Sequence, residues 1–156
     1  VPTRRPKDIQ LEPGEQRKLG SHLFNFVWTL LEKEQRTERE TDRMIDAAHA
    51  SRLFWENVGG PVDARGEWQI SRAYASGGQA DNARHHAQRC LELCESAGVG
   101  GFDLAYAYEA LARAAALSGD SDAVSLYSAR AQEVAAEVAE REDRELILTD
   151  LKTLAD

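Results

Sequence analysis

The sequence predicts an all-α protein of antiparallel helix hairpins, stacked as a short right-handed solenoid and closed by a C-terminal capping helix. Three observations support this. Apolar residues recur at three- and four-residue steps through segments of about 15 to 20 residues, the period and length of ordinary amphipathic helices. Breakers separate the segments at Pro13-Gly14, Gly59-Gly60-Pro61, Gly77-Gly78, 98–101 and Gly119-Asp120, and a polar stretch at 34–41 does the same. No stretch sustains the apolar-polar alternation of a half-buried strand.

Each element follows from its own residues. Positions 1–13, with Arg4, Arg5 and Lys7 among Pro2, Pro6 and Pro13, read as an extended arm ahead of a single domain at 14–156. A chain of 156 residues can bury one core without disulfides or a metal. The first helix carries Leu19, Leu23, Phe26, Val27, Leu30 and Leu31 on a broad apolar face. Thr37 and Glu40 stand at capping-box spacing ahead of the second, whose Met44, Ala47, Ala48, Phe54 and Val58 share a side. These two helices make a first hairpin at 14–58. Asp63 and Asp103 precede the third and fifth helices and are expected to cap their free backbone N–H groups. Further hairpins are predicted at 63–97 and 103–140, rich in alanine, which favours helix and allows close approach. The segment 143–155, apolar at Ile147, Leu151 and Leu154, is expected to cover the face a terminal hairpin leaves in water.

The last two hairpins share one design. Gly78 and Gly119 lie 41 residues apart, and the same offset pairs Ile70 with Leu111, Arg72 with Arg113, Ala73 with Ala114 and Cys90 with Ala131. The series Ile70, Tyr74, Gly78, Ala83, Ala87 and Cys90, echoed by Leu111, Gly119 and Ala131, resembles the tetratricopeptide repeat, in which small residues at the helix crossing let a hairpin interlock. The unit is longer than the common repeat of about 34 residues. Ser71 and Ala112 stand where that family usually has glycine. The stretches Arg65-Gly66-Glu67-Trp68 and Phe102-Asp103-Leu104-Ala105-Tyr106 resemble those of bacterial tetratricopeptide-like proteins without assigned activity. This resemblance spans residues 44–150 and implies the stacked-hairpin fold without implying a reaction.

Charge and composition exclude several partners. A net charge of −8, with basic residues dispersed among acidic ones, argues against nucleic acid. No apolar run approaches the roughly 20 residues that span a bilayer, and no export signal follows the basic arm, so a cytoplasmic chain without a membrane partner is expected. Cys90 and Cys94, one helical turn apart, are badly placed to bond each other, which suits a reducing compartment.

Residue types that carry chemistry are present, but their spacing is wrong for it. His86, Cys90 and Cys94 share a face of the fourth helix, with His49 or His85 as a further ligand for zinc. Along a straight helix the three span about 12 Å, too far for one ion, so the cysteines are expected to be packing residues and no metal or cofactor is expected. The glycines at 98–101 follow no strand and precede no Lys-Ser or Lys-Thr, as a phosphate loop requires. The acidic run at 133–145 reads as a solvated helix face.

The first helix of each stacked hairpin lines the concave side, so its non-packing residues face ligands. Arg65, Trp68, Gln69 and Arg72 of the third helix, with Tyr106, Glu109 and Arg113 of the fifth, are expected to form a binding groove. Asn25, Trp28 and Glu32 would form the rung below. Trp, Tyr and Arg are the types enriched in binding hot spots. The leading expectation is a non-enzymatic module that binds a protein or peptide segment bearing an acidic or carboxylate group. A second is a small-molecule or enzymatic pocket built from His49, Arg65, Glu67, Arg72 and Glu109. A third is a structural homodimer whose groove is filled by another copy.

Overall fold

The computed structural model describes residues 11–56 and 58–154. Seven helices occupy them: α1 (Pro13–Leu31), α2 (Glu38–Trp55), α3 (Pro61–Ser76), α4 (Ala80–Ala97), α5 (Gly101–Ser118), α6 (Ser121–Ala136) and α7 (Arg141–Lys152). No strand is present among the described residues. The expected arm falls on residues 1–10, outside those described, except for its last positions. There Pro13 opens α1 itself, and the Glu15 carboxylate accepts a hydrogen bond from the Glu12 N–H at 3.0 Å.

Sequence neighbours pack in pairs, α1 on α2, α3 on α4 and α5 on α6. The first helices of successive pairs also touch, α1 with α3 and α3 with α5, and α7 rests on α5 and α6. Among the described residues, the backbones of α2 and α4, and of α4 and α6, do not approach each other. α3 and α5 are therefore the shared walls of the molecule. Their interfaces are filled by small residues: Ala64, Ala73, Ala83, Ala87, Ala107 and Ala114 are all buried. Buried Ser71 donates to the Ala83 carbonyl at 2.8 Å, so the α3 and α4 backbones lie close at their crossing.

The turns repeat at the level of single hydrogen bonds. Gly78 and Gly119 adopt φ of 75° and 74°, a left-handed conformation that side chains resist. In both turns the next N–H reaches back to close the helix, Gln79 to the Tyr74 carbonyl at 2.9 Å and Asp120 to the Ala115 carbonyl at 3.0 Å. The 41-residue offset is therefore a repeat of backbone geometry as well as of residue type.

Two capping expectations are corrected. The residues flanking α3 and α5 at their starts are Gly60 and Gly100, and neither helix has a side-chain cap. Asp63 and Asp103 sit inside the first turns. Pro61 pre-sets the helical φ at the first position of α3, so that helix starts three residues earlier than an aspartate cap requires. Both carboxylates still complement the helix dipole, and they pair with arginines of preceding helices. The Thr37 and Glu40 capping box is present as expected. The last helix begins at Arg141, two residues before the expected 143, with Ile147 and Leu151 buried. Of the apolar face expected on α1, Leu19 is the exception at 39% exposed.

The α1 and α2 pair depends on a close approach at Gly20. A Cβ there would lie 2.4 Å from Cδ1 of buried Trp55, while Ser51 donates to the Gly20 carbonyl at 2.7 Å. Gly20→Ala is expected to push Trp55 out of its seat, destabilising by about 1–3 kcal/mol as overpacking does. A thermal melt followed by circular dichroism should fall by about 3–10 °C.

Candidate functional site

The three first helices and α7 enclose a half-open cavity of about 550 Å³. Its wall is a run of aromatic rings. Trp28 of α1 lies 5.8 Å from Trp68 of α3, Trp68 is edge-on to Tyr106 of α5 at 5.4 Å, and Tyr106 meets Phe102 at 4.8 Å. Phe24, Ala64, Cys90 of α4 and Leu146 complete the apolar lining, and Arg65, Arg72, Asp103, Asp143 and Asp150 supply its charges. The Trp68 indole N–H is buried without a partner among the described residues, so packing alone sets that ring.

Four of the seven expected groove residues, Arg65, Trp68, Arg72 and Tyr106, line this cavity. The other three do not. Gln69 is fully buried, and its amide donates to the Phe24 carbonyl at 2.9 Å, joining α3 to α1. Glu109 is fully buried behind the wall, accepting from Arg113 Nε at 2.8 Å and from Arg72 Nη1 at 3.4 Å. Arg113 is turned towards α7, where it also reaches the Asp150 carbonyl and the Thr153 hydroxyl. The reason is stagger. Residues that touch across α3 and α5 are 37 or 38 apart (Arg65 with Asp103, Trp68 with Tyr106, Arg72 with Glu109), about one turn short of the 41-residue repeat. Equivalent positions are therefore not the ones that meet. Below this rung, Trp28 is in place, while Asn25 and Glu32 are exposed.

The charged groups are unequally engaged. Arg65 grips both oxygens of Asp103, at 2.6 and 3.2 Å, and this hydrogen bonding raises its pKa further. Arg72 has only the long contact to Glu109. Tyr106 donates to Asp150 Oδ2 at 2.9 Å, and burial followed by the Asp150 charge pushes the phenol well above its ordinary range. It is a fixed donor at neutral pH. Burial raises the Glu109 carboxyl despite the opposing pull of Arg113 and Arg72.

The second expected constellation does not assemble. Glu67 lies on the opposite side of α3 from the cavity, buried among Arg52 of α2 and His86 and Arg89 of α4, at 3.2, 2.7 and 3.3 Å. His49 is beside this cluster, with Nε2 3.0 Å from the Tyr74 hydroxyl and its ring against His86. Arg65, Arg72 and Glu109 face the other way, so no His and Glu pair converges with the arginines on one cavity. His49 is held below its ordinary pKa by burial and then by the neighbouring His86. Cys90 and Cys94 are buried and unbonded, and the hydrogen bond to Cys94 together with burial drives the Cys90 thiol well up. Among the described residues, no three His, Cys, Asp or Glu side chains gather as a metal site would require, and no helix is long and apolar enough to cross a membrane.

A cavity of about 570 Å³ at the α5 to α6 turn, between Leu117, Val124 and Leu154, is more open and has Arg113 as its only charged lining residue. That guanidinium is already engaged by Glu109. The aromatic cavity is the better candidate. Comparison with known protein families, with curated proteins and with solved structures gives no match.

The Glu67 cluster generates a pH signature. Burial acts to raise this carboxyl, but the hydrogen bond and charge of His86, with Arg89 and Arg52, outweigh it and hold the pKa below its ordinary value. A depressed folded pKa gives stability that is present above the unfolded carboxyl value of about 4.3 and lost as pH falls through the folded value. Glu67→Gln is therefore expected to destabilise by about 1–3 kcal/mol at pH 7. The deficit should shrink below about pH 4, as measured by urea unfolding of both proteins.

Proposed function

We propose that this protein is a non-enzymatic interaction module of the tetratricopeptide-like kind, which receives a peptide or protein segment in the aromatic cavity between α1, α3, α5 and α7. The carrying observation is the continuous ring wall of Trp28, Trp68, Tyr106 and Phe102 around a half-open space. Its volume falls in the usual range of ligand sites. Aromatic faces offer large contact area at little entropic loss, and they are the surfaces on which binding energy concentrates. Arg72, with most of its fork unengaged, is the group suited to a ligand carboxylate. The paired helices, the repeated turn hydrogen bonds and the alanine-rich crossings support the tetratricopeptide-like reading. The separation of His49 and Glu67 from the cavity removes the acid-base pair on which an enzymatic pocket would rest.

Selection from a random peptide library displayed with free C-termini tests this. Enriched peptides should share an apolar or aromatic residue close to a carboxylate. Their binding should weaken about 5- to 100-fold on Trp68→Phe or Arg72→Gln, the scale of hot-spot losses, with melting temperatures nearly unchanged. Failure to enrich any sequence, or binding indifferent to both substitutions, would overturn the proposal. A dimer in sedimentation whose formation Trp68→Phe abolishes would overturn it in favour of a self-filled groove.

A further inference from the structure

We infer that the cavity reads its ligand at two ends: Arg72 takes a C-terminal carboxylate, Asp143 takes the cationic side chain of the preceding residue, and the aromatic wall holds the apolar last residue. This rests on the reading of the cavity as a peptide site and adds which peptide it takes.

Charge complementarity carries the inference. Two arginines line the cavity, and only one is available. The Arg65 fork is filled by both oxygens of Asp103, so an incoming anion would have to displace a bidentate pair. At the other end, Glu109 accepts two bonds from Arg113 and one long bond from Arg72, which leaves the remaining Arg72 donors for a ligand. Asp143 lies in the first turn of α7 and lines the cavity on the Arg65 side. Since Arg65 is matched by Asp103, no ion pair among the described residues neutralises Asp143. The carboxylate of Asp150 receives the Tyr106 hydroxyl, while its backbone carbonyl accepts from Arg113. Asp143 thus offers an unpaired carboxylate at one end, and Arg72 offers its unengaged donors at the other.

Distance makes the pattern specific. Arg65 and Arg72 are seven residues apart on one helix, about 10 Å along its axis, with Trp68 between them. A lysine stem of about 6 Å plus one residue of about 3.5 Å spans that gap, so the ammonium of a penultimate lysine and the terminal carboxylate reach both ends together. The electron-rich faces of Trp28 and Trp68 favour a cation passing over them. Neither a purely acidic nor a purely apolar C-terminus uses both ends.

The test is a tryptophan-fluorescence titration with four probes: acetyl-Lys-Phe as the free acid, the same compound as its C-terminal amide, acetyl-norleucyl-Phe acid and acetyl-Glu-Phe acid. The lysyl acid is expected to bind about tenfold more tightly than the amide or the norleucyl acid, as loss of one charge-assisted contact predicts, and the glutamyl acid should be weakest. Asp143→Asn should erase the lysine over norleucine preference and keep the acid over amide preference. Arg72→Gln should do the reverse. Equal binding of the lysyl, norleucyl and glutamyl acids would overturn the two-ended site, as would an Asp143→Asn variant that keeps the lysine preference. If the probes bind without charge preference but lose affinity on Trp68→Phe, the cavity is a peptide site and only this inference falls. If none binds and no library peptide is enriched, both readings fall.

Discussion

The carboxylate of Glu109 is the constraint on which the cavity side of the molecule turns. It is fully buried on α5, between Arg113 of the same helix and Arg72 of α3, and Arg113 in turn holds the end of α7. One buried charge thus joins the three helices that wall the cavity with Trp68, Tyr106 and Asp150. Burying it carries a desolvation penalty, visible in its raised pKa, and such pairs often add little net stability compared with apolar packing. What they add is position. A carboxylate that must meet two guanidinium groups fixes the rotation of α5 against α3 more narrowly than alanine contacts do.

Glu67 does the same on the other side of α3, meeting Arg52 of α2 and His86 and Arg89 of α4. α3 is therefore anchored by charge on both faces, to α2 and α4 through one glutamate and to α5 through the other. Between these anchors Trp68 packs against Trp28 of α1 and Tyr106 of α5 and also lines the cavity. A pre-formed wall of this kind would spare a ligand the ordering entropy that a collapsing pocket requires.

Most of the helical architecture was legible in the sequence, because it depends on local signals. Breakers at 59–61, 77–78 and 119–120 and the 3.6-residue apolar period are properties of consecutive residues, and seven helices follow from them. The Gly78 and Gly119 turns were legible for the same reason. The site was legible only in part, because it depends on how one helix slides along another. A 41-residue repeat places Arg65 level with Tyr106, yet Arg65 meets Asp103, and the slip of one turn removes Glu109 and Arg113 from the cavity. Glu67 and Glu109 differ from the repeat by a single position, which is 100° around a helix, so one turns to α2 and α4 and the other to α3. Asp143 and Asp150 were missed because α7 has no counterpart elsewhere in the chain and its register on α5 is set by tertiary contact alone. The aspartates at 63 and 103 looked like caps because proline and glycine had already started each helix upstream.

Trp28 and Trp68 line the cavity, while Trp55 is core. Trp55 is 7% exposed and seated on Gly20, so the chain contains its own control among its three tryptophans. The direct measurement is the position of the three indole N–H signals in a ¹⁵N-correlated spectrum during titration with acetyl-Lys-Phe, whose ring moves neighbouring resonances. Saturable, concerted movement of the Trp28 and Trp68 signals with Trp55 nearly still is expected if the cavity receives the probe. Three stationary signals at millimolar probe, or three moving in proportion without saturation, would contradict it.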